Sequence, residues 1–501
     1  MAEHNGQQLR LKVSDVNVVN QRTLKKALGG TIVGNTMEWY DVGVFGYLIT
    51  TMGPVFLPEA DRAVQNLFLL GTFGATFIAR PVGGIFFGWL GDKIGRQKVL
   101  AMTLMLMAAA TFAVGLLPGY TVLGIWAAVL LVVLKLVQGF STGGEYSGAT
   151  TFVCEHAPDR RRGFYVSFLD MGSYLGFAVG GLVVSVLQLV LGQEQMEAWG
   201  WRLPFLVAGP LGAVAVYFRM KIEESAAFKA TMEAEAVAAT HPETGEELRA
   251  VGPLGILKAH WRPILLAMIL AAAANTVAYA LTSYMPTYLT SNKGYDEVQG
   301  TLLTIPVLVA MALCIPFTGR LSDRIGRRPV LWIGAGSTVV FAVPAFLAIA
   351  AGSIPMTLLG LALIAFPVAF SVPNLASALP ALFPTEHRYS AMGIAYNLAV
   401  AIFGGTAPFI IASLIELTAD DMAIAYYLMG VAVIAAVAIY FLPESAGRHL
   451  PGSMPSVDSQ EEARTLVETQ DNNPLLDLDS LPFEESFAAA RASHNRKPTV
   501  M

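Results

Sequence analysis

Charged side chains are scarce in this sequence of 501 residues, because Asp, Glu, Lys and Arg together make up only 14% of it. A water-soluble domain normally carries about 25% charged residues. Hydrophobic residues make up 54% of the chain, and they recur in runs that are each long enough to cross a bilayer as a helix. The composition therefore excludes an ordinary soluble protein and predicts a polytopic membrane protein.

Cysteine is also nearly absent, since Cys154 and Cys314 are the only two and both lie in apolar stretches. Two isolated thiols provide neither a disulfide framework nor a metal site, and we expect them to act as small packing residues. The sequence has no P-loop lysine motif, no HExxH motif and no arrangement typical of nucleic-acid binding. We therefore expect no cofactor, no metal, no enzymatic activity and no nucleic-acid partner.

The long hydrophobic runs number twelve and form two groups of six. Backbone polar groups inside a bilayer must be satisfied within their own segment, and the alternating short runs of a barrel are missing, so the runs predict helices. The expected fold is an all-α membrane protein with two pseudo-symmetric six-helix bundles. The predicted spans are 28–52, 66–90, 98–117, 121–150, 163–192, 201–219, 263–289, 299–319, 329–351, 355–383, 391–415 and 422–442.

Polar segments divide the chain around these two groups of spans. The first residues contain no apolar core like that of a cleaved signal peptide, so we expect the first span to stay in the protein. The predicted organisation is an N-terminal segment at 1–27, a first bundle at 28–219, a central loop at 220–262, a second bundle at 263–443 and a tail at 444–501.

The distribution of Lys and Arg predicts the orientation of the spans. Most of the 32 basic residues lie in the N-terminal segment, the central loop, the tail and the loops after even-numbered spans. The loops after odd-numbered spans contain only Arg62, Arg202 and Lys293. Because cytoplasmic loops are enriched in Lys and Arg, both termini are predicted to be cytoplasmic.

A motif rich in glycine and charge occurs after the second span of each half. GWLGDKIGRQKVL occupies 88–100 and GRLSDRIGRRPVL occupies 319–331. A second repeat follows the fourth span of each half, as PDRRRG from Pro158 and PTEHRYSAMG from Pro384. Orientation alone would explain the basic residues, but it would not explain the repeated aspartates and glycines.

Secondary transporters built from internal repeats bind their ligand between the repeats, near the bilayer midplane. In the repeated motif, Asp can accept bonds from a helix N-terminus, and Arg can pair with acids or with helix C-terminal carbonyls. Such contacts suit a structure that makes them in one state and breaks them in another. We therefore predict conformational gating by Gly88, Asp92, Gly95, Arg96, Asp323, Arg327 and Arg328.

These motifs resemble the cytoplasmic signature of the major facilitator superfamily. KLVQG (135–139) is similar to a second superfamily motif, with Lys135 where arginine is usual. Further segments resemble the metabolite:proton symporter branch, and the likeness covers roughly 10–450; these segments are GNTMEWYDVGVFGY (34–47), FIARPVGGIFFG (77–88), GFSTGGEYSGA (139–149) and DRRRGF (159–164). The resemblance implies alternating access, coupling to protons, and a gating role for Lys135.

The chain departs from this pattern at two places. GSYLGFAVGG (172–181) resembles the superfamily's antiporter motif but has Phe177 where that motif needs proline, which argues against drug export. Many related transporters carry a long C-terminal coiled coil linked to osmosensing, whereas prolines such as Pro451, Pro455 and Pro474 interrupt any heptad run here. We predict a mostly disordered tail with a possible short helix at 458–468.

Acidic residues within the first bundle are the candidates for proton coupling. A charge at the centre of a membrane helix costs roughly 2.5–3.5 kcal/mol on insertion, so each one needs a reason. Glu38 and Asp41 are three residues apart and share a helix face, where burial beside a second acid favours the protonated form. We predict proton coupling by Asp41, Glu38 and Glu145. The alternative is that buried charges only hold helices together, and it applies most to Lys135 and Asp170.

A zwitterionic solute needs a cation for its carboxylate and a suitable surface for its ammonium. Arg80 offers a permanently charged forked donor, although it could instead pair with Asp41. Aromatic faces attract a quaternary ammonium, which cannot donate hydrogen bonds. Packing within the core is the alternative role for each aromatic side chain. The predicted substrate-binding residues are Arg80, Trp39, Tyr40, Phe45, Asn275, Tyr279, Phe366, Phe370, Asn374, Tyr396 and Asn397.

Together, the residues and the resemblance predict a symporter of the bacterial inner membrane that imports proline, glycine betaine, ectoine or a related zwitterion with protons. One alternative keeps the fold and replaces the solute with an organic acid such as citrate, 2-oxoglutarate or shikimate. Another alternative is a receptor that binds a solute without moving it, and the intact gating motifs in both halves argue against it. The expected partners are the solute, protons and the lipid bilayer.

Overall fold

The computed structural model describes residues 10–94, 96–220, 253–385, 387–478 and 481, and in this part of the chain twelve long helices dominate. Each of the twelve predicted spans overlaps one of these helices, although several ends differ by a few residues. In the first half, the helices are α1 (Gln21–Tyr47 continued by Ile49–Phe56), α2 (Arg62–Ile94), α3 (Arg96–Leu116), α4 (Ile125–Thr142 continued by Glu145–His156), α5 (Arg162–Gln195) and α6 (Arg202–Met220). In the second half, they are α7 (Trp261–Tyr279 continued through Ala280–Tyr284 to Met285–Lys293), α8 (Glu297–Leu302 continued by Thr304–Ile325), α9 (Arg327–Ala350), α10 (Ile354–Ala378), α11 (Arg388–Ala399 continued through Val400–Gly404 to Ala407–Thr418) and α12 (Met422–Phe441).

Short elements connect the long helices or follow them. The loop before α7 lies partly outside the described residues, as do the ends of the chain. The short elements are β1 at Asn17–Val18, β2 at Ser456–Val457, α13 at Gln460–Glu468, and single helical turns or short helices at Val13–Asp15, Tyr120–Leu123, Asp159–Arg161, Met196–Gly200, Pro253–Ala259, Pro380–Leu382 and Gln470–Asn472.

The long helices have the length and surface expected of membrane spans. Among the described residues, nine are long and apolar enough to cross a bilayer, and α3 and α6 contribute shorter apolar segments. The remaining helix, α1, is less apolar because it contains Glu38 and Asp41. Large hydrophobic side chains such as Val190, Phe317 and Phe441 are exposed on the outer surface, where lipid would cover them. The predicted all-α membrane fold is confirmed.

The helices pack as two bundles with matching internal pairings. In the first bundle, α1 packs on α5, α2 on α4, and α3 on α6. In the second bundle, the same pairings recur six helices later, with α7 on α11, α8 on α10, and α9 on α12. Contacts between the bundles join α5 to α8 and α2 to α11. The repeat that the sequence shows as short motifs is therefore a repeat of the whole packing arrangement.

Glycine permits the closest helix contacts in the first bundle. A Cβ atom on Gly139 would lie 1.7 Å from the carbonyl oxygen of Thr76, so α2 and α4 touch backbone to backbone. A Cβ atom on Gly176 would lie 2.3 Å from the carbonyl oxygen of Thr36, where α1 meets α5. Small residues allow helices without a hydrophobic driving force between them to gain van der Waals contact. These contacts set the positions of α1, α2, α4 and α5 around the centre of the protein.

The segment after α12 differs from the disordered tail that we expected. It contains the predicted short helix, α13, and it also contributes β2, which pairs in parallel with β1 so that Asn17 lies opposite Ser456. Apolar residues of both segments pack together, including Val16, Val457 and Ala463. The prolines that exclude a coiled coil do not prevent this shorter structure. Residues 482–501 lie outside the described part of the chain.

Hydrogen bonds also join the segment before α1 to the segment after α12. The side chain of Gln470 accepts a hydrogen bond from the Leu11 backbone N–H at 2.8 Å and donates one to the Leu11 carbonyl at 3.3 Å. We call residues 10–19 and 445–478 the terminal strap, and the end of the bundles on which it lies the terminal face. The other end, where α7 turns into α8, is the opposite face.

Candidate functional site

The first bundle contains a buried pair formed by Glu38 and Arg80. The Arg80 Nη2 atom lies 3.4 Å from Glu38 Oε1. The guanidinium group also lies 4.4 Å from the ring centre of Phe77, one helical turn away on α2, and 5.8 Å from that of Trp39. A guanidinium packed on aromatic faces stays charged and oriented. The sequence left open whether Arg80 pairs with Asp41 or binds the solute's carboxylate, and the structure pairs Arg80 with Glu38.

Asp41 lies beside a second buried cation, Lys135. Lys135 and Arg80 are the positive charges that act on the Asp41 carboxylate. The Lys135 Nζ atom lies 4.3 Å from the ring centre of Phe45. No member of the set Glu38, Asp41, Arg80 and Lys135 is more than 3% exposed. Two acids and two bases balance each other, which buried charges require. Lys135 was predicted as a gating residue, and the structure places it at the candidate proton-coupling site.

A small cavity of about 20 Å³ lies between the two bundles. A cavity of this size accommodates about one water molecule. Residues from α1, α4 and α5 form one side of it, and residues from α7, α10 and α11 form the other. The lining consists of Trp39, Tyr146, Asp170, Ser173, Tyr174, Phe177, Asn275, Ala278, Tyr279, Thr282, Val372 and Tyr396.

Aromatic rings surround one carboxylate in this cavity, that of Asp170. The Tyr146 hydroxyl donates a hydrogen bond to Asp170 Oδ1 at 3.2 Å. Tyr146 stacks on Tyr396 of the other bundle with 4.4 Å between ring centres, and the Tyr396 hydroxyl donates to Asn275 Oδ1 at 3.4 Å. A cation within the cavity would therefore meet aromatic faces and one acid, and both attract it.

The Arg80 pair lies directly behind one wall of the cavity. Trp39 separates them, because its ring faces the Arg80 guanidinium and also packs on Phe177 and Tyr279, with ring centres 5.4 Å and 5.9 Å away. The Arg80 guanidinium and the Asp170 carboxylate thus lie on two sides of one aromatic pocket. Among the described residues, no cluster of three or more His, Cys, Asp or Glu side chains could hold a metal ion.

Polar contacts also join the two bundles away from the cavity. At the terminal face, Asp323 accepts hydrogen bonds from the backbone N–H groups of Gly163 at 2.9 Å and Phe164 at 2.8 Å, at the N-terminus of α5. Arg327 donates to Asp323 Oδ1 at 2.6 Å. Arg388 and Glu155 add an ion pair of 2.8 Å between the bundles. The carboxylate therefore binds a helix N-terminus, as the motif suggested.

The other gating residues are placed differently. Arg328 donates to the Tyr440 carbonyl at 2.9 Å, a contact within the second bundle. Gly95 lies outside the described residues, and Gly88, Asp92 and Arg96 lie outside those whose side chains are described.

Four of the predicted substrate-binding residues line the cavity, namely Trp39, Asn275, Tyr279 and Tyr396. The structure does not bring the remaining aromatic residues there. Tyr40 donates a hydrogen bond to the Pro204 carbonyl at 3.1 Å, on the side of α6. Phe45 packs against Lys135. Phe366 is 42% exposed on the outer surface, where it stacks on Phe370.

Three polar residues from the predicted sites also lie away from the cavity wall. Asn374 donates to the Phe370 carbonyl of its own helix at 2.7 Å. Asn397 donates to the Gly143 carbonyl at 2.5 Å and so joins α11 to α4. Glu145 is buried at the first position of the second segment of α4.

Eight of the twelve cavity residues were absent from the predicted site, and five of these eight belong to the first bundle, namely Tyr146, Asp170, Ser173, Tyr174 and Phe177. A signal was available for four of them, because positions 170, 173, 174 and 177 lie on one face of α5. We treated Asp170 as structural, and Phe177 only as a departure from a motif. The adjoining face of α5 carries Gly172, Gly176 and Gly180, which pack on α1. Because the glycines bury that face, the polar and aromatic side chains are directed to the cavity.

Residues 30–453 match the model of the sugar (and other) transporter family. The ectoine/proline transporter ProP of Corynebacterium glutamicum is 47% identical over 488 residues, which cover 96% of this chain and 97% of that protein. The proline/betaine transporter of Escherichia coli K12 is 42% identical over 463 residues, with 92% of both chains covered. The glycine betaine/proline/ectoine/pipecolic acid transporter OusA of Dickeya dadantii is 41% identical, again with 92% of both covered.

Solved structures of a major facilitator protein have the same fold. The proton:xylose symporter XylE bound to 6-bromo-6-deoxy-D-glucose gives a TM-score of 0.69, with 18% sequence identity and coverage of 89% of this chain and 99% of that one. The partially occluded inward open conformation of XylE from E. coli gives a TM-score of 0.67, also at 18% identity, with 86% of this chain and 100% of that one covered.

Proposed function

Because the chain belongs to the sugar (and other) transporter family of the major facilitator superfamily, and is thus a multi-pass membrane transporter, we propose that it imports zwitterionic osmoprotectants together with protons. The solutes named for its relatives are proline, glycine betaine, ectoine and pipecolic acid. Each of these combines a carboxylate with a positively charged nitrogen. The transport cycle is alternating access, in which the cavity opens first to one face and then to the other.

The observation that carries this proposal is the aromatic cavity with Asp170 at its wall, between the two bundles. The ammonium or amidinium group of the solute lies against Tyr146, Tyr396 and Asp170, since aromatic faces and a carboxylate both attract a cation. The solute's carboxylate lies towards Arg80, the nearest forked cation behind Trp39. The cavity must expand to admit such a solute, because about 20 Å³ accommodates only about one water molecule.

Asp41 is our first choice for the proton-carrying group. Protonation of Asp41 changes the balance of the four-charge cluster and leaves Lys135 without a compensating charge nearby. A buried uncompensated charge is unfavourable, so protonation must be accompanied by a rearrangement of α1 against α4. Since Arg80 pairs with the neighbouring Glu38, this rearrangement also affects the cation proposed to bind the solute. Glu38 and Glu145 are the next choices.

We propose that both termini and the terminal strap lie in the cytoplasm and that the protein resides in the bacterial inner membrane. The basic residues support this orientation, because cytoplasmic loops are enriched in Lys and Arg. The terminal face is then cytoplasmic, and the opposite face is periplasmic or extracellular.

An organic acid is less compatible with the site than a zwitterion. A di- or tricarboxylate has no positive group to place against Asp170, whose carboxylate would repel it. A receptor that binds a solute without moving it is disfavoured, because the chain belongs to a family of transporters.

Uptake by purified protein in proteoliposomes with an imposed pH gradient tests the function. We expect labelled proline, glycine betaine or ectoine to accumulate, and citrate, 2-oxoglutarate and shikimate to remain outside. Electrical recording provides a second criterion, since a neutral zwitterion that moves with one proton carries net charge inward, worth about 2.3 kcal/mol per 100 mV. A monoanion that moves with one proton carries none. Accumulation of organic acids alone, or saturable binding without accumulation, would overturn the proposal.

A further inference from the structure

Helix α8 carries a carboxylate at each of its two ends, and both contact the other bundle. At the terminal face, Asp323 binds the N-terminus of α5, as described above. At the opposite face, Glu297 is the first residue of α8. Glu297 belongs to neither repeated motif, so no sequence pattern had selected it.

Glu297 accepts two hydrogen bonds from the first bundle on the same carboxylate oxygen. The Thr51 hydroxyl of α1 donates to Oε2 at 2.7 Å, and Gln188 Nε2 of α5 donates to it at 3.3 Å. Thr51 and Gln188 are both buried. Asp296 precedes Glu297 and caps the helix by accepting from the Gln299 backbone N–H at 2.7 Å, which holds the first turn of α8 in position.

The charges around Glu297 are themselves paired. Arg62 and Glu197 lie nearby with 3.9 Å between Nη2 and Oε1, and Arg62 also donates to the Thr50 carbonyl at 2.9 Å. Glu297 is therefore held across the bundle interface by neutral donors. Hydrogen bonds from neutral donors to a carboxylate are stronger than bonds between neutral groups. Separation of the bundles at this face breaks both bonds.

We propose that Glu297 is a latch that closes the opposite face, as the counterpart of Asp323 at the terminal face. Both latches join α8 to α5, at positions separated on α5 by about 25 residues, or about 37 Å of helix. Rocking of the bundles about the central cavity therefore opens one latch while the other stays closed. Both are closed in the present structure. The proposal rests on alternating access and not on the identity of the solute.

A cysteine that reports access to the cavity tests the latch. Thr282 lines the cavity, so we would introduce Thr282→Cys into a chain that also carries Cys154→Ser and Cys314→Ser. A membrane-impermeant maleimide is then applied to each face in turn, in vesicles of known orientation without any solute. We expect Glu297→Ala to increase the labelling rate from the opposite face about tenfold, because two bonds to a charged acceptor are lost. Labelling from the terminal face should not increase.

Matched variants identify the cause of the change. Glu194→Ala removes an exposed carboxylate from the same end of α5 and should leave labelling as in the parent. Asp323→Ala should increase labelling from the terminal face only. Glu297→Gln should give an intermediate rate, since an amide oxygen still accepts the Thr51 hydrogen bond but carries no charge.

Thr51→Val removes one donor while it keeps the shape of the side chain, and it provides a test if Glu297→Ala does not fold. It too should increase labelling from the opposite face. Labelling at the parent rate in both Glu297→Ala and Thr51→Val would overturn the latch, and so would an equal increase from both faces, which indicates general loosening. Because no solute is present, a failure here is distinct from a failure of the proposed zwitterion transport.

Discussion

Asp170 is the residue on which the proposed recognition of a cation depends most directly. It is the one carboxylate among the cavity-lining residues, and Tyr146 holds it by a hydrogen bond of 3.2 Å. The same tyrosine stacks on Tyr396 of the second bundle, so the acid is held at the interface that must move. We therefore expect a change in its charge to affect binding of the solute's positive group before it affects the fold.

We expect Asp170→Asn to raise the KM for glycine betaine about tenfold, because a neutral amide keeps the shape but loses the attraction for a cation. Initial rates of uptake over a range of solute concentrations measure this effect. Glu194→Gln, which changes an exposed acid near the other end of α5, serves as the control and should leave the KM unchanged. An unchanged KM in Asp170→Asn would place the ammonium elsewhere.

The proposed proton-coupling role of Asp41 is tested by measuring solute exchange and proton-driven solute accumulation separately. We expect Asp41→Asn to abolish accumulation driven by a pH gradient, since an amide cannot take up and release the proton. Exchange of labelled for unlabelled solute across the membrane should persist, because it needs no net proton movement. Proton-driven accumulation at the parental level in Asp41→Asn would exclude it as the coupling group and direct attention to Glu38.

At the scale of the helices, α5 shows how one element supplies both packing and chemistry. Its glycine face lies against α1, while Asp170, Ser173, Tyr174 and Phe177 face the cavity. Phe177 occupies the position where the antiporter motif has proline. Here it fills the space beside Trp39, with ring centres 5.4 Å apart, so the departure from the motif contributes part of the cavity wall.

Close contact of α2 and α4 leads to a prediction about stability. We expect Gly139→Ala to lower the thermal unfolding temperature in detergent and to cost about 1–3 kcal/mol, because its Cβ would lie 1.7 Å from the Thr76 carbonyl oxygen. Gly336→Ala in α9 is the control, since a Cβ there meets nothing within 4 Å and alanine favours a helix. Equal unfolding temperatures for Gly139→Ala and the parent would show that the two helices can separate without loss.

On the scale of the whole molecule, the terminal strap connects both bundles at one face. The Ser456 backbone N–H donates to Asp159 Oδ2 at 2.9 Å in the first bundle. Arg388 of the second bundle donates to the Pro451 carbonyl at 2.7 Å, and the Thr385 backbone N–H donates to the same carbonyl at 3.1 Å. Separation of the bundles at the terminal face must therefore break or displace the strap.

Deletion of residues 446–501 should consequently favour opening of the terminal face. We expect faster labelling of the cysteine of Thr282→Cys from that face, together with a lower unfolding temperature. Deletion of 482–501 alone is the control, because it leaves the contacts of Ser456 and Pro451 in place. If the cysteine of Thr282→Cys is labelled no faster in the longer deletion than in the shorter one, the strap moves with the bundles and does not restrain their separation.

The number of spans and their grouping as six and six follow from the sequence alone, whereas the ends of α1, α4 and α8 differ from the predicted ends by several residues. The bilayer sets the length of an apolar helix, and each helix satisfies its own backbone hydrogen bonds, so these features depend on local composition. The lining of the cavity depends on how each helix is rotated about its axis and on which helix it meets across the interface. Helix packing determines that Phe366 lies on the outer surface, that Asp170 faces the cavity, and that Glu38 is the acid that pairs with Arg80. Contacts between residues far apart in the chain, such as Thr51 with Glu297 or Leu11 with Gln470, arise only when the bundles and termini have come together.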